Sequence, residues 1–173
     1  FMTMIKKIVL AGTGGYGIKF LGHALGEFFV LKGYKVVLTF EYDAAMRGGE
    51  IVGYLTYGDE HISSPVIDNA DYLLLLDKVR KKIKAKKIIV EKQVCGPDCD
   101  TSSFLCETCL VRDFRGDALE KFKDKRVVNM IAFGDVLNEL GFKISDDELK
   151  KVLPDKFFAT NLEAVKFGLR YKE

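Results

Sequence analysis

The chain has 173 residues, 48% of them hydrophobic and 30% charged, and its 27 basic and 25 acidic residues leave a formal net charge of +2. This length and balance predict one compact folded domain and exclude a largely disordered chain. The small net charge argues against nucleic acid or a membrane as partner, and the longest apolar runs, about six residues, are far shorter than the ~20 that a spanning helix needs.

The N-terminal residues run directly into an apolar segment, without the cleavage region of a signal peptide. We therefore expect a cytoplasmic location, where the environment is reducing. There the four cysteines are expected to be thiols or metal ligands rather than disulfides.

The first forty residues predict a strand, a glycine turn, a helix and a second strand. Lys7 to Ala11 is a short apolar run typical of a buried strand, and it leads into the glycine-rich residues Gly12 to Gly17. Apolar side chains then recur at helical spacing from Ile18 to Leu31, and Gly33 suits the end of a helix. Lys35 to Phe40 favours a second strand, so the order is βαβ, which predicts parallel strands.

Further along the chain, apolar runs alternate with polar or amphipathic segments. The alternation from Glu50 to Tyr57 indicates an edge strand, and Lys78 to Lys84 predicts a short basic helix. Ser145 with three following acids is a typical helix start, and this helix ends at Pro154. Two more helices are predicted at 134–140 and 161–169.

We expect a single three-layer, Rossmann-like α/β domain over residues 1–173, with a mostly parallel sheet and helices on both faces. Residues 92–126 lose the apolar periodicity and contain the cysteines, so we interpret them as an excursion from the sheet rather than as a linker. The strands are expected near residues 5–11, 35–40, 71–76, 86–90 and 127–131.

The glycine turn is the first candidate binding site. Glycines suit a sharp strand-to-helix turn and allow the backbone to approach a ligand, and the helix that follows offers unpaired N–H groups to a phosphate. The cofactor-binding candidates in this turn are Gly12, Gly14, Gly15 and Gly17. The alternative is a tight turn that binds nothing.

Two features after the second strand extend this candidate site. Glu41 follows that strand, where an acid that binds a ribose would lie. Arg47 precedes Gly48 and Gly49, and an arginine beside two glycines can grip a carboxylate, a phosphate or a partner chain. A surface loop with a turn is an equally good interpretation of this segment.

Other polar residues give a weaker signal. Seven cations between Lys78 and Lys87 could form an anion site, but a solvated helix face is the favoured interpretation because the overall charge is balanced. His23, predicted to be a partly buried structural residue, and His61 occur in unrelated contexts, and no nucleophile elbow or metalloprotease motif is present. The sequence therefore predicts no catalytic residue.

Five segments form an ordered set of motifs: the sequence at 10–17, the sequence at 41–50, Ser64-Pro65 followed by 70–73, Val128-Asn129-Met130 with Gly134, and 161–164 with Gly168. In this order they resemble the gamma subunit or gamma domain of the 2-oxoacid:ferredoxin oxidoreductases, the family of the pyruvate, 2-ketoisovalerate, 2-oxoglutarate and indolepyruvate enzymes. Tyr16 and the pair Tyr42-Asp43 depart from residues that the family often carries.

The resemblance implies a role within a larger enzyme. That enzyme converts a 2-oxoacid, coenzyme A and oxidised ferredoxin to an acyl-CoA, CO₂ and reduced ferredoxin. The alpha, beta and delta subunits would hold the thiamine diphosphate and most iron–sulfur clusters, while the gamma piece helps to build the assembly and handles coenzyme A. The chain alone would be inactive. A free-standing dinucleotide-binding oxidoreductase or redox sensor is the alternative function, and a purely structural interaction module with an empty glycine turn is a third.

The four cysteines form two close pairs that could together bind a metal. Cys95 and Cys99 are followed six residues later by Cys106 and Cys109, and four such sulfurs suit a tetrahedral structural zinc site. Metal binding would also supply folding energy to this polar excursion. Unmodified thiols or disulfides formed in air are the ordinary alternatives, and an iron–sulfur cluster is the third, although the spacing matches neither common ferredoxin pattern.

Overall fold

A computed structural model of the protein describes residues 3–43, 48–97, 101 and 104–171. The chain forms two compact units, Phe1–Arg112 and Asp113–Glu173. The assignment of a single domain to residues 1–173 stays a prediction. Within the described residues, no helix combines the length and apolar character needed to cross a membrane.

The first unit is built on a six-stranded sheet in the order β2-β3-β1-β4-β5-β6. β1 pairs in parallel with β4, β4 with β5, and β5 with β6, while β3 is antiparallel to both β1 and β2. Five of the six described strands therefore run in one direction, which confirms the predicted α/β class with a mostly parallel sheet. The strands are β1 (Ile5–Thr13), β2 (Lys35–Tyr42), β3 (Glu50–Gly58), β4 (Asn69–Leu75), β5 (Lys84–Glu91) and β6 (Cys106–Arg112).

Helix α1 (Ile18–Leu31) has the predicted bounds and packs on one face of the sheet. Leu21, Leu25 and Phe28 are fully buried at helical spacing, because the apolar stripe that predicts the helix also supplies its contact with the sheet. A Cβ on Gly22 would lie 2.9 Å from Cζ of Phe40, so the glycine lets the helix approach β2 closely.

The position of β3 is the first correction to the expected fold. β3 lies between β1 and β2 rather than at an edge, since its register runs from Lys35↔Gly58 to Tyr42↔Ile51 with β2, and it also pairs along the whole of β1. A strand with two neighbours is shielded on both sides, which agrees with seven buried residues in a row from Val52 to Gly58. The strands of the βαβ unit are thus parallel but not adjacent.

The predicted basic helix at Lys78–Lys84 is wrong. Residues 77–83 contain no regular secondary structure, and β5 begins at Lys84. Two of its cations turn back to carboxylates on β2 and β3 instead of lining an exposed helix face: the Arg80 backbone N–H donates to Oε1 of Glu50 at 2.6 Å, and Lys81 Nζ lies 2.8 Å from Oε2 of Glu41. We call residues 77–83 the strap.

The excursion at 92–126 contains more regular structure than expected. It holds the short helix α2 (Lys92–Cys95) and the edge strand β6 (Cys106–Arg112), which pairs in parallel with β5. β6 was not predicted because it contains several polar residues. An edge strand can be polar, since only one of its sides pairs with another strand.

The second unit is helical and corrects another prediction. The expected strand at 127–131 is wrong: Val127 ends a 3₁₀ turn and residues 128–131 begin α4, because a short, mostly buried apolar run cannot be distinguished from a buried helix by its pattern. Ser145 is the N-cap of α5, as predicted, and the structure adds a reciprocal hydrogen bond from the Ser145 backbone N–H to the Glu148 side chain, which completes a capping box. α6 begins three residues earlier than expected. The helices are α3 (Phe114–Asp117), α4 (Val128–Glu139), α5 (Asp146–Val152) and α6 (Phe158–Leu169), with a π-helical turn at Ala118–Phe122.

Candidate functional site

The glycine turn lies where β1 gives way to α1. β1 ends at Thr13, Gly14–Tyr16 form a 3₁₀ turn, and Gly17 stands before the helix with φ of 65°. This left-handed conformation strongly favours glycine. Among the described residues no side chain caps the first turn of α1, which leaves its N–H groups available to a ligand.

Two hydrogen bonds connect this turn to neighbouring segments. The Thr13 hydroxyl donates to Oδ2 of Asp77 at 2.6 Å, and Asp77 follows the end of β4, which is parallel to β1. The Gly14 N–H donates to the carbonyl oxygen of Gly48 at 3.3 Å. The structure therefore brings the glycine turn together with Gly48 and the adjoining Gly49, as the predicted site requires, while Arg47 lies outside the described residues.

The glycines of the turn differ in what surrounds them. A Cβ on Gly12 would lie 3.0 Å from Cδ1 of Ile18, so a side chain at this position would require the Ile18 side chain to shift. Gly14 and Gly15 are exposed, and a Cβ on either would meet no described atom within 4 Å. Their surroundings leave room for a ligand against the backbone.

Glu41 is engaged by two residues that sequence reasoning missed. Lys81 Nζ donates to Oε2 of Glu41 at 2.8 Å and to the Tyr54 hydroxyl at 2.6 Å, and that hydroxyl lies 2.9 Å from the same carboxylate oxygen. The hydrogen bond from Lys81 lowers the pKa of the Glu41 carboxyl, and the reciprocal bond raises the pKa of the Lys81 ammonium. Burial raises the pKa of the Tyr54 phenol. At neutral pH the three groups are therefore a carboxylate, an ammonium and a neutral phenol.

The register of the sheet places Glu41 away from the glycine turn. Glu41 is opposite Val52 on β3, and Val52 is opposite Ala11 on β1, so two strand spacings of roughly 10 Å in total separate Glu41 from β1. The separation of Glu41 from β1 could not be predicted from the residues around Glu41, because β3, the strand between β1 and β2, comes later in the chain.

Arg80 of the strap forms a second set of ion pairs beside the group of Glu41, Tyr54 and Lys81. Its guanidinium pairs with Asp43 and Glu50, which lie at the facing ends of β2 and β3. A cleft of about 380 Å³ lies beside the strap, and a second cleft of about 280 Å³ is lined by the acids and the two strap cations. The larger cleft is lined by Thr39, Glu41, Tyr54, the residues 65–68 and the residues 81–83.

The cysteines do not form a metal site in the part of the chain that the structure describes. Cys95 ends α2, and β6 places Cys106 opposite Ala85 and Cys109 opposite Ile88. Among the described residues no three His, Cys, Asp or Glu side chains lie close enough together to hold a metal ion. Cys99 lies outside the described residues, so the four-cysteine zinc site stays a prediction.

The predicted role of His23 needs one correction. Its side chain is exposed on α1 rather than partly buried, although its ring lies 5.6 Å from that of Phe40. His61 is exposed in the loop after β3.

Known proteins resemble this chain over nearly its whole length. Residues 7–171 match the family model described as "Pyruvate ferredoxin/flavodoxin oxidoreductase". The 2-oxoglutarate synthase subunit KorC of Archaeoglobus fulgidus is 31% identical over 136 residues, which are 79% of this chain and 71% of KorC. The indolepyruvate oxidoreductase subunit IorB of Thermococcus kodakarensis is 22% identical, with 94% of each chain covered.

Solved structures share the fold. The pyruvate oxidoreductase subunit PORC of Thermotoga maritima superposes with a TM-score of 0.74 at 19% identity, covering 95% of this chain and 94% of that one. The 2-oxoglutarate:ferredoxin oxidoreductase of Magnetococcus marinus, solved with 2-oxoglutarate, coenzyme A and succinyl-CoA, gives a TM-score of 0.70 at 26% identity, and covers 95% of this chain but 30% of that one. The family inferred from the ordered motifs is confirmed, and the chain belongs to the pyruvate ferredoxin/flavodoxin oxidoreductase family.

Proposed function

We propose that this chain is the gamma subunit of a 2-oxoacid:ferredoxin oxidoreductase complex. The family match across residues 7–171 is the observation that carries this proposal, and the KorC subunit supports it at 31% identity. The complex would convert a 2-oxoacid, coenzyme A and oxidised ferredoxin to an acyl-CoA, CO₂ and reduced ferredoxin. Alpha, beta and delta subunits would carry the thiamine diphosphate and the iron–sulfur clusters.

Within that complex the glycine turn would face the pyrophosphate of coenzyme A. This role is supported by the exposed backbone of Gly14 and Gly15, by the adjacent Gly48, and by the first turn of α1, which no described side chain caps. Arg47 and the cations of the strap would add positive charge, although Arg80 and Lys81 also bind carboxylates of the sheet. The Magnetococcus relative was solved with coenzyme A, which agrees with a ligand of this class.

The free-standing dinucleotide-binding oxidoreductase is the weaker candidate. A dinucleotide fold needs an acid after the second strand that can reach a ribose held at the glycine turn. Here β3 separates β2 from β1, and the carboxylate of Glu41 is engaged by Lys81 and Tyr54. Both observations argue against Glu41 as the ribose ligand.

Purification of the native protein from its own cells tests the assignment. Co-purification with subunits that contain thiamine diphosphate and iron–sulfur clusters, and 2-oxoacid-dependent reduction of ferredoxin by that fraction, are the expected results. A stable monomer that retains bound nicotinamide would instead support the dinucleotide-binding alternative and contradict the gamma-subunit assignment.

For the cysteines we retain structural zinc, bound by Cys95, Cys99, Cys106 and Cys109, as the proposal. The spacing supports it, and a bound metal would supply folding energy to the polar excursion at 92–126. Protein purified without air should contain about one zinc per chain and no colour. Brown protein with iron and labile sulfide would indicate a cluster, and metal-free folded protein with four titratable thiols would refute both.

A further inference from the structure

Phe157 has an unusual backbone conformation at an exposed position of the second unit. Its φ of 60° and ψ of 24° lie in the left-handed region, which bulky side chains rarely adopt. It is also the N-cap residue of α6, where it supplies no side-chain hydrogen bond. Glycine or asparagine would suit both requirements better, since either tolerates this conformation and asparagine also caps. The local backbone therefore gives no reason for a phenylalanine.

Burial does not explain the phenylalanine either. The residue is 52% exposed, so much of its ring faces solvent. Two cations approach the ring, with Arg126 Cζ 4.7 Å and Lys156 Nζ 5.2 Å from its centroid. Cation–π contacts at these distances orient the ring at the surface instead of drawing it into the core.

The arginine beside the ring is fixed in place. Arg126 Nε donates to Oδ1 of Asp124 at 2.9 Å, its second guanidinium nitrogen donates to Oδ2 at 2.8 Å, and the Arg126 backbone N–H donates to Oδ1 at 2.9 Å. The fork-to-fork geometry leaves the guanidinium little rotational freedom. The Phe157 ring therefore rests against a preorganised cation.

Further exposed cations lie on the same two segments. Residues 123–126 and 154–157 contain four cations against two acids, Asp124 and Asp155, so the local charge is positive. One of these cations, Lys123, also has a left-handed backbone, with φ of 54°, and it follows the π-helical turn. We call this surface the basic aromatic patch; its members are Lys123, Lys125, Arg126, Lys156 and Phe157.

We propose that the basic aromatic patch is a docking surface for an acidic face of a partner protein in the complex. An aromatic and an arginine at the centre of a protein interface are the side chains that most often dominate its binding energy, and the surrounding lysines complement a negative rim. Nucleic acid fits less well, because the patch contains a single aromatic ring instead of several stacking platforms, and the whole chain carries a net charge of only +2. The proposal rests on the gamma-subunit assignment.

The test uses the full chain and the purified partner subunits of its complex, with two variants. Phe157→Asn removes the ring, and because asparagine relieves the backbone conformation and can cap α6, the Tm of the isolated chain should stay constant or rise by about 2–4 °C. The affinity for the partner subunits, measured by calorimetry, should fall by about tenfold or more. The charge-reversal variant Lys125→Glu/Lys156→Glu should slow association and weaken its dependence on salt.

Each outcome decides a separate question. Partner subunits that bind wild type and both variants equally would overturn the docking surface and leave the gamma-subunit assignment standing. A fall in Tm for Phe157→Asn would show that the ring stabilises the second unit, and this would also overturn the proposal. If the partner subunits do not bind the wild-type chain at all, the assignment itself fails.

Discussion

Gly17 illustrates how one residue connects the predicted turn to the observed site. With φ of 65°, Gly17 adopts the left-handed conformation that joins the 3₁₀ turn to the first residue of α1. Gly14, three residues earlier, has neither a positive φ nor a described atom within 4 Å of an added Cβ. Gly17 is therefore constrained by its backbone conformation and Gly14 is not, so substitutions at these two positions separate stability from binding.

We expect Gly17→Ala to lower the free energy of unfolding by about 1–2 kcal/mol, since a left-handed backbone costs an alanine roughly that amount. The Tm of the chain should fall by about 2–8 °C. Gly14→Ala is the matched control and should leave the Tm within about 2 °C of wild type. Equal losses of stability in the two variants would refute this separation.

The group formed by Glu41, Tyr54 and Lys81 makes a contribution to stability that depends on pH. The pKa of Glu41 is lowered in the folded state by its hydrogen bond from Lys81. The unfolded state therefore binds a proton more readily, so the stabilisation is fully present above the unfolded pKa and is lost as the pH falls through the folded pKa. Both side chains of the ion pair are about half exposed, which limits its contribution to roughly 0.2–1 kcal/mol.

We expect the difference in Tm between wild type and Glu41→Gln to be largest at neutral pH and to shrink as the pH is lowered below the ordinary pKa of a glutamate. Thermal unfolding of both proteins over a series of pH values measures it. Lys81→Met should give the same pH trend, because it removes the other partner. A difference in Tm that stays constant down to acidic pH would show that Glu41 stabilises the fold by other means.

At the scale of elements, the contact between α4 and α6 depends on two glycines. A Cβ on Gly134 would overlap the carbonyl oxygen of Val165, and a Cβ on Gly168 would overlap the carbonyl oxygen of Ile131. The two backbones therefore touch where the glycines face each other. This gives a physical reason for the two glycines that the sequence motifs of the family already included.

We expect Gly134→Ala and Gly168→Ala each to lower the Tm by roughly 5 °C or more, because the added methyl group forces the helices apart. The loss should occur although alanine has the higher helix propensity. Gly26→Ala in α1 is the matched control: its Cβ would lie 3.7 Å from Cγ1 of Val36, an ordinary contact, so its Tm should be unchanged or higher. Stable Gly134→Ala protein would show that the helices can separate at little cost.

The sequence predicts best those elements whose bounds depend on residues close together in the chain. The bounds of α1 follow from apolar spacing, the start of α5 follows from the N-cap Ser145 and the acids after it, and both agree with the structure. The central position of β3 and the partners of Glu41 depend on pairing between distant segments, which no local pattern encodes. The strand prediction at 127–131 was wrong for another reason: short apolar runs of the same composition occur in buried strands and in buried helices.

At the scale of the whole molecule, the role we propose for the chain is to bind coenzyme A at the glycine turn and to help build the complex. Gly14 and Gly15 are exposed in that turn, and hydrogen bonds from Thr13 to Asp77 and from Gly14 to Gly48 hold it to neighbouring segments. A subunit of this kind would influence the reaction through the binding of coenzyme A and through assembly. Its effect should therefore be visible in one kinetic parameter of the assembled enzyme.

We expect Gly14→Leu in the assembled complex to raise the KM for coenzyme A by about two- to fivefold, because the side chain would occupy the space in front of the helix N-terminus, where an anion gains roughly 0.3–1 kcal/mol. The KM for the 2-oxoacid should not change, since its site would lie on other subunits. The Tm of the isolated chain should also stay near wild type, because no described atom lies within 4 Å of the Gly14 Cβ position. Gly14→Ala is the control and should change the KM for coenzyme A by less than about twofold, since a methyl group leaves most of that space open. An unchanged KM for coenzyme A in the leucine variant, with the complex intact by gel filtration, would show that the glycine turn serves assembly and not the cofactor.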